Sequence, residues 1–468
     1  MSGAKMQIKL NSSQRRETPN DTRPPMSPTV TSAATDKARR DGLVMLVVGA
    51  IIFLLVGIAW QRVTLIEMGD FKVVYYSARC LLQHGDPYKQ QDVLRLYSAE
   101  GRERPTEPAL DRQVKTRFFY PPTAFILTVP IALLGFEVGK VLWMIICAGT
   151  FILAAFLVWE AAADFAPRLA GLLAGLVLAN SFWLLMIGNA AAISVSLCII
   201  ASWCFYRGRF TWAGVLCLAL SLALKPNDSG LVWLFFLLAA PALRKRALQS
   251  LAVLVVLSLP FLLWVTHASS HWLQELQTNM ASFSEIGGIV DPGLTGVAGK
   301  NMDCIVQLQT AVSVFFGNPH SWNLITYAIC APLLLFWAYR TFKTRPPSTA
   351  IWLPLAVAAP LTVLPTYHFQ HDAKLLLIAV PACAILWARR SRTGTIALPV
   401  TLAAILVNGD ILTAIRILLT RAIVVPQPNF FSRLVTLVFT RPAPLVLLAM
   451  AVFYLRIYLR RREPDLTT

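Results

Sequence analysis

The stretch LVMLVVGAIIFLLVGIAWQ, residues 43–61, contains no charged side chain. A helix that crosses a bilayer needs about 20 mostly apolar residues, and this run has that length. Lipid offers no partner to a free backbone N–H or C=O group, so a spanning segment of this kind is expected to be helical. Similar runs recur at roughly 138–160, 169–187, 189–206, 210–224, 229–243, 247–265, 321–339, 350–365, 374–388, 395–414 and 442–459. The sequence therefore predicts an all-α polytopic membrane protein with a bundle of about 12 transmembrane helices.

The composition excludes a soluble globular protein. Of the 468 residues, 56% are hydrophobic and 14% are charged, whereas soluble domains carry roughly 25% charged residues. The mean hydropathy is +0.60. Most of the chain therefore has lipid as its solvent.

Basic residues collect in short clusters between the apolar runs, and these clusters predict the topology. They are Lys37/Arg39/Arg40, Arg207/Arg209, Arg244/Lys245/Arg246, Arg340/Lys343/Arg345, Arg389/Arg390/Arg392 and Arg460/Arg461/Arg462. Cytoplasmic loops carry an excess of Lys and Arg, so even numbers of spans should separate neighbouring clusters. This holds if the proline-rich segment 120–136 does not cross, so we expect it to be a re-entrant or interfacial helix. The same clustering accounts for the net charge of +18 without a nucleic-acid partner.

Three regions follow from this topology. Residues 1–42 are polar and basic and are predicted to form a disordered cytoplasmic tail. Residues 43–460 form one transmembrane domain with outer loops at 62–137 and 266–320, and residues 461–468 form a second cytoplasmic tail. We interpret residues 43–61 as a retained signal anchor. Cys80 and Cys304 both fall in outer loops, and the sequence leaves open whether they pair.

Unusual polar residues gather on the non-cytoplasmic side, as expected for an active site at the outer leaflet. Asp70 lies in MGDFKVVYYSARCLLQHGDPY, residues 68–88, just after the first span. A carboxylate near the apolar interface is costly unless it is paired or functional. Asp70 could be a helix cap, a partner of Lys72, or a general base toward a hydroxyl group.

Cationic and donor side chains fall on the same face. Lys225 in ALKPND lies on the outer side, against the charge bias, and is a candidate phosphate ligand. His368, His371 and Lys374 lie within HFQHDAK, where we expect His371 and Lys374 to donate to a leaving phosphate. This loop could instead be a solvated polar segment. No complete set of metal ligands is evident from the spacing, so no metal ligand is assigned and no cofactor is expected, while the sequence leaves metal dependence open.

Aromatic and amide side chains complete the predicted site. Tyr75, Tyr76 and Tyr120 could contact a sugar or anchor the interface, and His368 is a further substrate-contact candidate. Asn189 follows Gly188 at a predicted outer turn, where it could cap a helix or donate to substrate.

The order of four segments resembles glycosyltransferase family 87. These are GDFKVVYYSARCLLQHGDPY (69–88), FFYPPTAFILTVPIALLGF (118–136), IGNAAAISVSLCIIASWCFYRGRFTWAGVLCLALSLALKPN (187–227) and HFQHDAKLLLIAVP (368–381). The family includes mycobacterial polyprenol-phosphomannose-dependent α-(1→2)-mannosyltransferases. Gly188-Asn189 departs from the Gly-Gln pair that is usual in the family.

The resemblance implies a GT-C fold, with outer-face juxtamembrane helices, that moves a sugar from a polyprenyl phosphate to a lipid or glycan acceptor. It implies that Asp70 is the catalytic acidic residue, that His371 matches the family's late-loop histidine, and that Lys225-Pro226 matches its Lys-Pro pair. The expected sugar is mannose or another hexose, and the expected location is a bacterial inner membrane with the active site on the outer face. Expected partners are the lipid donor, the acceptor and membrane lipids.

Two other functions fit the same topology. A lipid or solute transporter or flippase commonly has twelve spans, but it should show internal repeats with broken helices at matching positions, and none is evident. A lipid-linked polymer ligase would also have its active site at the outer face.

Overall fold

The computed structural model describes residues 28–63, 68–100, 116–285, 288, 290–293, 304–422 and 429–460. These residues are almost entirely helical, as predicted. The predicted tail 461–468, most of the tail 1–42 and parts of both outer loops lie outside them.

The helices are numbered here in chain order. They are α1 Pro28–Val63, α2 Gly69–Leu82, α3 Gln90–Ala99, α4 Phe125–Ala132, α5 Phe136–Ala163, α6 Pro167–Ala179, α7 Trp183–Ile187, α8 Ala191–Arg207, α9 Thr211–Leu224, α10 Pro226–Leu238, α11 Pro241–Ala268, α12 Trp272–Ser284, α13 Leu308–Val312, α14 Pro319–Thr344, α15 Trp352–Val363, α16 Val380–Ala388, α17 Arg392–Val407, α18 Asp410–Ala422, α19 Phe430–Thr440 and α20 Pro442–Arg460. Short 3₁₀ helices cover Pro122–Ala124, Ser348–Ala350 and Asp372–Ala379.

Six helical segments in the described part of the chain are long and apolar enough to cross a membrane: Ala34–Val63, Phe136–Ala163, Pro167–Ile187, Pro241–Ala268, Pro319–Thr344 and Pro442–Arg460. The pair Arg392–Val407 and Asp410–Leu419, bent by 58°, gives a seventh if it is one broken span. Several other predicted spans are shorter apolar helices, among them α8, α9 and α15. The polytopic all-α class is confirmed, and the count of twelve stays a prediction.

The first helix is longer than the sequence predicted. It begins at Pro28, so residues 28–42 are helical rather than disordered. Ion pairs join this extension to the bundle, from Arg39 to Asp164 and from Arg168 to Asp41. Asp164, directly after α5, and Arg168 on α6 thus give the charged residues next to the apolar run partners within the protein.

The proline-rich segment forms a short helix, as its length predicted. Pro121 and Pro122 lead into the 3₁₀ turn, and α4 ends at Ala132. Its eight residues are too few to cross a bilayer at 1.5 Å per residue.

Residues 304–306 of the second outer loop are hydrogen-bonded to residues 368–370, in the loop that carries His368 and His371. An isolated antiparallel β-bridge pairs Ile305 with Phe369. The N–H of Val306 donates to the carbonyl of His368 at 3.0 Å, and the N–H of Gln370 donates to that of Cys304 at 2.8 Å. The histidine loop therefore has a backbone scaffold of its own. Cys304 and Cys80 are both free thiols.

Candidate active site

A tight turn between α7 and α8 brings Asn189 to Asp70. Gly188 has φ +66°, and a Cβ there would lie 2.6 Å from Met68 and 2.9 Å from Phe71. Only glycine meets both demands without strain, since other residues rarely adopt this conformation. The indole N–H of Trp143 donates to the Gly188 carbonyl at 2.9 Å. Gly188 therefore packs closely against the start of α2, and Asp70 lies in the first turn of that helix.

The orientation of the Asn189 amide is set by its own backbone. Its Oδ1 accepts the N–H of Ala191 at 2.7 Å. Its Nδ2 must then face the other way, where it donates to the carboxylate of Asp70 and to Nε2 of His371, at 3.1 Å from the latter. Nε2 of His371 is consequently an acceptor, and the ring proton is on Nδ1. Asn189 thus couples the two residues that the sequence singled out first.

Lys225 lies at the break between α9 and α10, where Pro226 starts the next helix. Its ammonium group forms a hydrogen-bonded ion pair with Asp372 and lies 3.5 Å from Oδ2 of Asp228. Burial disfavours its charge, but the two carboxylates outweigh this effect and raise the pKa of Lys225. Lys225 is therefore a fixed cation.

His368 lies beside this pair in a defined tautomer. Its Nδ1 is 3.0 Å from the carbonyl of Thr366, which can only accept, so Nδ1 carries the proton. Its Nε2 accepts from the amide of Asn227 at 3.2 Å and lies 3.7 Å from Oδ1 of Asp228. His368 is fully buried, and its Nε2 lone pair is occupied by the Asn227 amide.

Burial shifts the pKa of Asp70 and of His371, the two residues that the Asn189 amide contacts. It raises the pKa of Asp70 to about 6, while the Asn189 hydrogen bond and the charge of Lys225 oppose the rise. It lowers the pKa of His371 to about 3. Near neutral pH the site therefore holds an ionised Asp70 of raised basicity beside a neutral imidazole.

Two tyrosines border the same space. Tyr120 and Tyr367 both interact electrostatically with Asp70 and Asp372, and burial raises the pKa of each hydroxyl. Tyr367 is half-buried, as is Asp70. The phenol groups stay protonated and can donate hydrogen bonds to an anion or a sugar hydroxyl.

Other predicted site residues lie elsewhere. Tyr75 and Tyr76 are buried in an aromatic cluster, with their ring centroids 5.2 and 5.8 Å from that of Phe136. The hydroxyl of Tyr75 donates to the carbonyl of Leu134 at 2.8 Å. Both side chains therefore pack α2 against the start of α5.

Lys374 has partners of its own, different from those of Lys225. Its ammonium group donates to the carbonyls of Asn180 and Asn408, at 2.6 and 2.9 Å, and to Oδ1 of Asp410 at 2.8 Å. These three acceptors match its three N–H groups. Its role as a phosphate ligand stays a prediction, and these contacts favour a structural role.

Three members of the site carried no assigned role in the sequence analysis. Asp372 and Tyr367 flank the predicted histidines, and Asp228 lies three residues after Lys225. Their nearness to predicted residues was the available signal. What the sequence could not reveal is that these two segments, about 140 residues apart, share one ion-pair cluster.

A sequence model of glycosyltransferase family 87 matches residues 118–365, more than half of the chain. The matched segment contains Tyr120, Asn189, Lys225 and Asp228, whereas Asp70 precedes it and His371 follows it. Searches of curated proteins and of solved structures found no match. With its family match and its apolar helices, the chain belongs to glycosyltransferase family 87 and is a multi-pass membrane glycosyltransferase.

Proposed function

We propose that this enzyme transfers a hexose, mannose being the first candidate, from a polyprenyl phosphate to a hydroxyl group of a lipid or glycan acceptor. The observation that carries the proposal is the arrangement of one ionisable carboxylate, Asp70, near a fixed cation, Lys225, with neutral donors between and around them. Reaction at an anomeric carbon needs both a proton acceptor and stabilisation of the leaving group.

Asp70 is suited to be the general base. It is half-buried, and the Asn189 amide holds one of its carboxylate oxygens. The other oxygen is then available for the proton of an acceptor hydroxyl. A base positioned in this way typically contributes about 10²–10⁴-fold to the rate.

The departing phosphate would meet donors rather than bulk water. Lys225 has three N–H groups, of which one donates to Asp372, and Asp228 lies 3.5 Å away, so at least one N–H remains for a phosphate oxygen. Nδ1–H of His371 and the hydroxyls of Tyr120 and Tyr367 are further donors. Preorganised donors stabilise developing charge strongly in a site that excludes water. A single displacement with one base inverts the anomeric centre.

The basic clusters support a reaction at the non-cytoplasmic face. Arg207 ends α8, and Lys343 lies in the last turn of α14. The Arg207/Arg209 loop joins α8 to α9, whereas Asn189 precedes the start of α8 and Lys225 follows the end of α9, so both lie at the other end of these two helices. Since Lys and Arg favour the cytoplasm, the site would face outward. A bacterial inner membrane would supply a polyprenyl-phosphate donor on that side.

The test is transfer from radiolabelled polyprenyl-phosphate mannose to crude membrane acceptor by the purified protein. We expect Asp70→Asn to lower the rate by about 10²–10⁴-fold, since an amide cannot accept the proton. Asp92→Asn is the matched control, because Asp92 is an outer-loop carboxylate that pairs with the exposed Arg95 at 3.5 Å. Equal transfer by wild type and Asp70→Asn would exclude this mechanism. Transport of the lipid without transfer would favour a transporter.

A further inference from the structure

We propose that Lys225 is a tethered cation that occupies a site otherwise built for a divalent metal ion. The site consists of Asp228, His368 and Asp372, each of which offers one ligand atom. These three atoms all lie within 4.8 Å of one another. One imidazole and two carboxylates are a ligand set that divalent transition metals accept.

His368 has the second-shell contact of a metal-binding histidine. A metal-binding imidazole usually donates its other ring N–H to a carbonyl or carboxylate, which fixes the tautomer. Here Nδ1–H donates to the Thr366 carbonyl, so Nε2 carries the lone pair, and it lies 3.7 Å from Oδ1 of Asp228. The amide of Asn227 donates to that lone pair, in the position that a bound metal ion would take.

Asp228 is the second, independent observation. The residue is 1% exposed, and neither of its carboxylate oxygens has a hydrogen-bond partner. A buried carboxylate without hydrogen bonds is costly unless a cation lies close by. The nearest cationic group is Lys225, at 3.5 Å.

Lys225 is placed where it excludes a metal ion. Its ammonium group lies between the carboxylates of Asp228 and Asp372 and touches the latter. A second cation held by the same carboxylates would meet it at a few ångströms, where like charges in a buried site repel strongly. The ammonium group and a metal ion are therefore alternatives.

Two consequences follow, of which the second rests on the proposed function. Removing the Lys225 side chain should convert the cluster into a divalent-metal site. In the wild type, Lys225 supplies the positive charge that a metal ion supplies in enzymes that stabilise a phosphate group with a metal. Sugar transfer by the wild type should then not depend on a divalent metal.

The direct test measures Mn²⁺ binding by electron paramagnetic resonance, with purified full-length protein in detergent. We expect Lys225→Ala to bind about one Mn²⁺ per chain, and about 10-fold or more tightly than wild type, because three deprotonated ligands are exposed to it. Asp228→Asn in the Lys225→Ala background should abolish this binding. Lys343→Ala, at an exposed lysine in the last turn of α14, is the control and should resemble wild type.

Thermal unfolding is a second measurement if Lys225→Ala is poorly folded. Mn²⁺ should raise the melting temperature of Lys225→Ala and of Lys225→Ser, because a ligand that binds only the folded state stabilises it. It should leave wild type unchanged.

Either of two results would overturn the proposal. One is stoichiometric Mn²⁺ binding by wild type that Asp228→Asn abolishes, because the site would then be a metal site with Lys225 in place. The other is absence of binding and of thermal stabilisation in both Lys225 variants. Neither readout uses sugar transfer, so failure here is distinguishable from failure of the proposed function. Retention of wild-type transfer in EDTA is the expected companion result.

Discussion

The ionisation of Asp70 depends on residues from three separate parts of the chain. Burial raises its pKa, the Asn189 hydrogen bond and the Lys225 charge lower it, and the charge of Asp372 raises it again. Because Asp70 can take a proton from an acceptor hydroxyl only when its carboxylate is ionised, its pKa should appear in the pH dependence of the enzyme.

Sugar transfer should become slower on the acid side of neutral pH. Asp70 has a pKa of about 6, so kcat/KM should fall as the pH drops below about 6. Asn189→Ala removes a hydrogen bond that lowers this pKa, so the limb should move to higher pH. The measurement is kcat/KM for donor sugar transfer between pH 5 and 8.

Asp228→Asn is the control for that shift, because it changes a second buried carboxyl that does not touch Asn189. The limb should remain near pH 6 in this variant even if the rate falls. If the acid limb of kcat/KM shifts in Asp228→Asn but not in Asn189→Ala, the group that titrates is not Asp70.

Lys374 could stabilise the fold or bind the donor phosphate, and these two roles have different consequences when the lysine is replaced. Removing one partner of a buried ion pair leaves an uncompensated charge and typically costs about 3–5 kcal/mol. Lys374→Met should therefore lower the melting temperature, and Asp410→Asn in the same chain should recover part of the loss. The donor KM of the folded fraction should stay close to that of wild type.

A phosphate-binding role for Lys374 would give the opposite pattern. The donor KM would rise strongly while the melting temperature stayed the same. Lys343→Met changes an exposed lysine and reports the effect of losing one positive charge alone.

At the scale of elements, α1 and α6 approach each other through glycines. A Cβ on Gly171 would lie 2.1 Å from the carbonyl oxygen of Gly42, and one on Gly49 would lie 2.3 Å from that of Gly175. Gly171 and Gly175 are four residues apart and so share a helix face. Small residues at this spacing let transmembrane helices pack with their backbones close together.

Gly171→Leu should accordingly separate α1 from α6. The blocking atoms belong to backbone and cannot rotate away, so we expect a loss of about 1–3 kcal/mol or more in stability. Thermal unfolding in detergent measures it. Gly149→Leu on α5 is the matched control, since a Cβ there meets nothing within 4 Å. Equal stability of both variants would mean that the two helices do not pack in this way.

Two interruptions between consecutive helices meet at the Lys374 contacts. The break between α6 and α7 offers the Asn180 carbonyl, and the break between α17 and α18 offers Asn408 and Asp410. The carboxylate of Asp410 also accepts the N–H of Trp183 at 2.7 Å. Irregular backbone at membrane depth needs protein partners of this kind, and one lysine serves both breaks.

At the scale of the whole molecule, the topology predicts which loops a membrane-impermeant thiol reagent can reach. Gln83→Cys lies in an exposed turn of the first outer loop, and Arg209→Cys lies in the exposed loop between α8 and α9. In intact cells we expect labelling of Gln83→Cys alone, and labelling of both after the membrane is opened.

The native protein is the control for that experiment. Its described cysteines are buried apart from Cys217, which is half-buried, so background labelling should be low. Labelling of Arg209→Cys in intact cells would reverse the proposed sidedness and move the site to the cytoplasm.

The sequence by itself determined the class of the molecule. Hydropathy and basic clusters are local properties, and they were sufficient for a helical membrane protein and for an expected sidedness. Asp70, Asn189, Lys225 and His371 could also be singled out, because a polar residue beside an apolar run is conspicuous.

The tertiary structure decided which of these residues work together. Tyr75 and Tyr76 looked exposed at an interface but are buried against Phe136. Lys374 lies three residues from His371 yet pairs with Asp410, while Lys225 pairs with Asp372 across 147 positions of sequence. The physical reason is that a buried charge is stabilised by whichever opposite charge the packing of helices brings near it, and that distance is not encoded in any local pattern.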